Sequence, residues 1–276
     1  MTLPPLPEPL PAPVVDNHCH LDIVRHDVDE TPLSPTEALA QAASVGVTRI
    51  VQIGCDVERS RWAVEFSAEQ PSVIGGVAIH PNDAPLSENL DADLDEIEAL
   101  AGAHDKVRVV GETGLDFFRT DEDGRAAQVH SFRRHIDIAK RLGKTLQIHD
   151  REAHADVLAV LDSEGVPDRW VMHCFSGDAE FAKACLDRGA YLSFAGTVTF
   201  KNAESLRQAL AIVPRDRVLV ETDAPFLTPM PHRGAINASY LVPHTMRAMA
   251  EVRGDDLETL CVAVNSNTEV AFGGAW

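Results

Sequence analysis

Basic residues are scarce in this chain of 276: 24 Lys and Arg stand against 43 Asp and Glu, a net charge of −19. A protein that grips nucleic acid through a broad basic surface is thereby excluded, because affinity for phosphates comes mainly from Lys and Arg. An enzyme that meets phosphates locally, through metal ions, is not. Cysteine is also sparse: the five are widely spread, with no Cys-x-x-Cys. That rules out a disulfide framework and points to a reducing, cytoplasmic setting. No apolar stretch reaches the roughly 18 residues that a membrane span needs. The first residues carry no basic-plus-apolar signal pattern. Glycine-rich dinucleotide and Walker fingerprints are missing, and so is the Gly-x-Ser-x-Gly of a nucleophile elbow. Ser176 in "HCFSG" is therefore no nucleophile candidate.

What is present is a regular alternation. A proline-rich tail, residues 1–12, leads into short β-branched runs separated by helical patterns. Strands are expected at 13–18, 48–53, 73–79, 107–111, 144–149, 169–173, 190–195 and 217–221. Most are continuously apolar, as strands buried on both faces should be. Helices are expected at 35–46, 57–69, 88–103, 124–142, 152–164, 178–188, 202–212 and 239–252, with one more at 255–271. Gly46, Gly143, Gly165 and Gly189 stand where helices stop. Eight β–α units without a composition break predict an α/β fold, a single (β/α)8 TIM-type barrel over residues 13–276 with an extra C-terminal helix. The competing architecture is an open doubly wound sheet.

Imidazoles and carboxylates cluster just past these strands. His18 and His20 end the first, His80 the third, Glu112 and Asp116 follow the fourth, His149 the fifth, His173 the sixth, and Glu221 and Asp223 the eighth. In a barrel these C-terminal ends form one rim, where active sites are built. His18 and His20 share side-chain parity, so both can aim at one point. His18, His20, Glu112, His149, His173 and Asp223 are too many donors for one tetrahedral ion with an open position. Two divalent ions linked by Glu112 account for them. The mixed donors suit Zn²⁺, Mn²⁺, Fe²⁺ or Co²⁺ better than Mg²⁺ or Ca²⁺ alone.

Five segments, "DNHCHLD", "GETGLDFF", "IHDREA", "HCFSG" and "ETDAPFLTP…HRG", resemble the TatD family of metal-dependent hydrolases, in the amidohydrolase superfamily. The resemblance implies a (β/α)8 barrel holding two or three divalent ions and a DNase activity, often 3′–5′ trimming of single strands. Some relatives instead deacylate D-aminoacyl-tRNA. It also implies His18 and His20 on one ion, His149 and His173 on the second and Glu112 bridging. Asp223 becomes a ligand that takes the proton of the attacking water. His80, Arg151 and Arg233 are the implied substrate contacts, and an Arg fork at position 151 suits a phosphate. The partner implied is DNA or another nucleotide-containing substrate, with no membrane and no protein partner. The chain departs from the family at Ala238, where members usually carry Glu, which weakens the case for a third ion.

Other features read more plainly. Cys19 and Cys174 alternate away from the neighbouring ligands and are expected in the core. His104, His130, His135, His154 and His244 lie in helical stretches and are expected to face solvent. Residues 91–100, "DADLDEIEAL", form an acidic amphipathic helix, not a calcium loop. Phe117 and Phe118 either stack on a base or pack beneath their loop. A metal-binding scaffold without turnover is the remaining alternative, but a scaffold has no need of Asp223 as a base.

Overall fold

The computed structural model describes residues 3–24 and 33–276. Strands and helices alternate as β1 (Val14–Cys19), α1 (Pro35–Ser44), β2 (Val47–Ile53), α2 (Val57–Glu69), β3 (Val73–Val77), α3 (Leu90–Ala101), β4 (Val107–Asp116), α4 (Glu122–Leu142) and β5 (Thr145–Arg151). They continue as α5 (His154–Glu164), β6 (Trp170–Met172), α6 (Ala179–Leu186), β7 (Tyr191–Phe194), α7 (Glu204–Ile212), β8 (Val218–Val220), α8 (Val242–Arg253) and α9 (Leu257–Ala271). Sheet order follows chain order, β1 to β8, as in a (β/α)8 barrel. Among the described residues no helix is long and apolar enough to cross a membrane.

Two compact units divide the chain. The first takes Met1–Gln52, Gly177–Lys183 and Leu192–Thr268. Here β1 runs parallel to β2, with Val14 beside Val47, and β7 runs parallel to β8, with Phe194 beside Val220. Side chains as well as backbone fasten β1 to β8. Asn17 Nδ2 donates to Val220 O at 2.8 Å, and Thr222 donates to Asp16 through both N (2.9 Å) and Oγ1 (2.5 Å). Burial pushes the Asp16 carboxyl up to about 6, even against these hydrogen bonds. The proline-rich segment is tied down too. Leu10 N donates to Val45 O, and Tyr240 Oη donates to Pro4 O at 2.7 Å. Ser34 caps α1 in a reciprocal box with Glu37.

The second unit takes Ile53–Ser176, Ala184–Tyr191 and Glu269–Trp276. Here β3, β4, β5 and β6 pair in parallel succession. The sequence ends the fourth strand at Gly111, but β4 runs ten residues, to Asp116, and β5 runs on to Arg151. Gly111 closes the expected strand and Gly114 lies past it; in the fold both let β4 lie against β5. A Cβ on Gly111 would fall 2.4 Å from Gln147 O, and one on Gly114 2.0 Å from His149 O. Glu112 therefore sits within a strand, not past its end, and His149 lies two residues before the end of β5.

Three expectations about burial need correction. His135 is fully buried: its Nε2 accepts from Ile79 N at 3.1 Å, and its Nδ1 lies 2.7 Å from Ser131 O. A helical histidine on the apolar face of α4 belongs to the core, provided its polar atoms find partners. His104, His154 and His244 are half-buried, and only His130 of the five is exposed. Cys19 is buried as expected, but Cys174 is half-buried in the turn after β6, at φ 41°.

Burial lowers the His135 pKa to about 4. The folded state therefore binds fewer protons than the unfolded state between that value and about 6.5. Stability from this group is complete above pH 6.5 and is lost as pH falls towards 4, by about 3 kcal/mol at most. Denaturant titrations across this window should show the decline, and His135→Gln, which keeps an acceptor for Ile79 N, should flatten it.

Candidate metal centre

Each unit carries its own cluster of metal-ligating side chains. In the first, the β1–β8 seam sets the geometry. Asp223 N donates to His18 O at 2.9 Å, and His20 N donates to Ala224 O at 2.8 Å. These bonds bring the segment after β8 alongside the end of β1. Asp223 takes a left-handed backbone, φ 57°, which Asp and Asn tolerate better than other residues with side chains. His18 Nε2 and His20 Nε2 face each other at 3.1 Å, and Asp223 Oδ1 lies 3.7 and 3.5 Å from them.

That spacing tests whether a divalent ion fits. Ligands about 2.1 Å from one ion are roughly 3.0–3.4 Å from each other in octahedral or tetrahedral arrangements. The two ring nitrogens, 3.1 Å apart, fall inside that range, and the carboxylate oxygen, at 3.5 and 3.7 Å from them, lies just beyond it. His18 and His20 thus aim at one point, as their parity implies. Asp22 does not join them; its Oδ1 accepts from Gln52 Nε2 at 2.7 Å.

In the second unit, Glu112 is the centre. Its Oε1 lies 2.5 Å from His149 Nδ1, 3.0 Å from His173 Nε2 and 3.5 Å from His80 Nε2. Register puts His149 opposite Gly114, where the missing side chain leaves room for the strands to close up. Burial by itself would raise the Glu112 carboxyl. The imidazoles of His173, His80 and His149 outweigh it and hold the group well below the usual carboxylate range. Burial likewise opposes charge on His149, but hydrogen bonds to Asp116 and Glu112 push it up to about 9. The cluster thus favours a positive charge beside Glu112, which a proton supplies here and a divalent ion can supply instead.

Three residues play parts that the motifs do not show. Asp116 Oδ2 lies 3.3 Å from His149 Nε2 and accepts from Asn82 Nδ2 at 3.0 Å. Its Oδ1 accepts from the backbone of Phe118 and Arg119. Asn82 N in turn donates to His80 Nδ1, so His80 reaches Glu112 with its other nitrogen. Asp16 holds the β1–β8 seam; it shares strand parity with His18 and His20, a signal the sequence did contain. Of the expected substrate contacts, Arg151 lies with its guanidinium carbon 3.9 Å from the Phe118 ring centroid. Arg233 lies 4.4 Å from that of Phe200. Among the described residues neither guanidinium has a carboxylate partner.

Comparison with known proteins gives the family. Residues 15–273 match the model of the family described as TatD related DNase. A metal-dependent hydrolase named TatD from Mycobacterium tuberculosis is 42% identical over 95% of this chain and 99% of its own. A protein of Citrobacter rodentium named 3′-5′ ssDNA/RNA exonuclease TatD is 33% identical over 86% of this chain and 91% of its own. The crystal structure of the TatD homologue YjjV from Escherichia coli superposes with a TM-score of 0.86 at 25% identity, covering 95% and 98% of the two chains.

If Gly114 lets His149 approach Glu112, a methyl group there must displace the His149 backbone. Gly114→Ala should lower metal content, measured by elemental analysis, and destabilise the fold by about 1–3 kcal/mol. Gly143→Ala is the control. Its glycine is also left-handed, at φ 62°, but a Cβ there meets nothing within 4 Å. It should cost about 1–2 kcal/mol and leave metal content intact.

Proposed function

The chain belongs to the family of TatD-related DNases and is a metal-dependent hydrolase; from that premise we propose that it cleaves phosphodiester bonds of DNA, as a 3′–5′ exonuclease on single strands. The observation that carries this reading is the pair of imidazole–carboxylate clusters, His18–His20–Asp223 and Glu112–His149–His173, each with the donors of a divalent site. The exonuclease name of the Citrobacter relative supports the nucleic-acid substrate.

His18, His20 and Asp223 would hold one ion, and His149 and His173 the second, with Glu112 as the shared carboxylate that the family resemblance implies. Two such ions would activate water and offset charge on the phosphate. The donor set favours Zn²⁺, Mn²⁺, Fe²⁺ or Co²⁺. Ala238 offers no carboxylate for a third. Asp223 takes the proton from the attacking water, and its fixed backbone aims the carboxylate at His18 and His20. Asp116 holds His149 in orientation, as a carboxylate behind a ligating imidazole does. Arg151 pairs with a phosphate oxygen and Arg233 with the substrate strand. His80 borders the reacting phosphate, its Nε2 3.5 Å from Glu112 Oε1.

Turnover of single-stranded DNA, a chromogenic phosphodiester and a D-aminoacyl ester, with each metal in turn, tests the reading. Hydrolysis of the ester with neither diester cleaved would replace it. In the metal-loaded protein, Asp223→Asn should cut kcat on the diester by roughly 10²–10⁴-fold, the range for a lost general base. Asn tolerates the left-handed backbone, so the fold should survive. Glu221→Gln should cost less. Near wild-type turnover by the Asn variant, with its metal in place, would remove Asp223 as the base.

Arg151→Ala should raise KM on DNA more than it lowers metal content. Loss of ions with KM unchanged would show Arg151 serving the metal cluster and not a phosphate.

A further inference from the structure

The arginines of this acidic chain are mostly engaged. Arg61, Arg134, Arg141, Arg188, Arg207 and Arg253 all hold carboxylates. Arg125 does not: among the described residues it has neither an ion pair nor a hydrogen bond, and its Nε is buried without a partner. Its guanidinium carbon lies 4.2 Å from the Phe117 ring centroid. The same two residues, with Ala126, Val129, His130, Arg133 and Asp156, line a cavity of about 510 Å³. That lies within the range of pockets that take small ligands, about 300–1,000 Å³. Arg133 and His130 are already paired, with Glu164 and Asp91, and Asp156 adds an acid to the wall. Arg125 is the group left to meet an anion.

This cavity adjoins the candidate metal cluster through one short turn. Asp116, in contact with His149, accepts from Phe118 N, and Phe117 N donates to Arg151 O. The turn thus carries two aromatic rings, each with a guanidinium on it: Phe117 with Arg125, and Phe118 with Arg151. Phe118 is 56% exposed, unusual for a large apolar side chain that could fold inward. Nothing in the hydrolytic step uses Phe117, Phe118 or Arg125.

We propose that this turn and its cavity form a subsite for a nucleotide of the substrate strand beyond the scissile phosphate, with its base on the Phe118 ring and its phosphate at Arg125. The assignment rests on the single-stranded nucleic-acid reading above. An exposed ring stacks any base and so serves without sequence preference. The Nη groups of Arg125, which have neither a hydrogen bond nor an ion pair among the described residues, gain an acceptor when a phosphate oxygen arrives. Guanidinium on ring presents a flat cationic face, which suits a strand of alternating bases and phosphates. Local grip of this kind lets a protein of net charge −19 hold a polyanion without a basic surface.

The test compares a small chromogenic phosphodiester with single-stranded DNA of two to eight nucleotides, on the metal-loaded protein. Arg125→Met keeps the alkyl packing on Phe117. It should raise KM for the longer oligonucleotides about tenfold and leave kcat and the small diester unchanged. The salt dependence of oligonucleotide binding, read by fluorescence anisotropy without turnover, should become shallower by about 0.7 in log–log slope, the share of one phosphate contact. Phe118→Leu should abolish the quenching of a 2-aminopurine placed one nucleotide from the 3′ end, which only a stacking role predicts. An unchanged KM and salt slope in Arg125→Met would overturn the subsite. Equal losses on both substrates would assign Arg125 to packing. A wild-type protein that cleaves the small diester but does not bind oligonucleotides would remove the subsite and leave the hydrolase standing.

Discussion

A buried carboxylate is the constraint around which the second unit is organised. Glu112 is 4% exposed, and a charge taken from water without compensation is costly enough that it would be neutralised instead. Three imidazoles supply the compensation, and their placement dictates the rest. His149 must reach Glu112, so β5 must lie close to β4, so positions 111 and 114 must lack side chains. His149 must also be held in orientation, which brings in Asp116, and Asp116 in turn fixes both Asn82 and the turn at Phe118. A chain of necessity runs from one charge to a ten-residue strand and the loop beyond it.

The first unit meets a similar problem by another route. His18, His20 and Asp223 come from the two ends of the unit's sequence, 203 residues apart between Asn17 and Val220. No local propensity can join them. Side chains stitch the backbone instead: Asn17 to Val220, and Asp16 to both polar groups of Thr222. Asp16 spends its charge on structure. Its burial raises its pKa, and its two hydrogen bonds from Thr222 are what make the position tolerable.

The strands were legible because continuous apolar runs bounded by glycine have few other readings, and all eight lie where the sequence places them. Their lengths were less so. "ETGLD" falls past the expected fourth strand, and only the nearness of β5 makes Gly114 and its neighbours strand residues. The histidines show the same limit. His18 and His20 reveal a common aim through parity alone; His135 stands at helical spacing from Phe132 and Ala139, on the buried face of α4, but the partner that makes its burial tolerable, Ile79 N, lies far off in sequence. Asp116 and Asn82 act across strands and loops that sequence does not align. Arg125 stands apart because its buried Nε finds no acceptor although Asp156 lines the same cavity, a property of space and not of sequence.

The left-handed backbone at Asp223 narrows what can happen to this position over time. Among the side chains that replace Asp by a single nucleotide change, Asn and Gly accept that conformation most readily and His less so, while Ala, Val, Tyr and Glu do not. The two most readily accepted replacements, Asn and Gly, remove the carboxylate but spare the fold. A duplicated copy released from selection for turnover therefore has a short mutational path to a silent, well-folded protein that still carries its imidazole clusters.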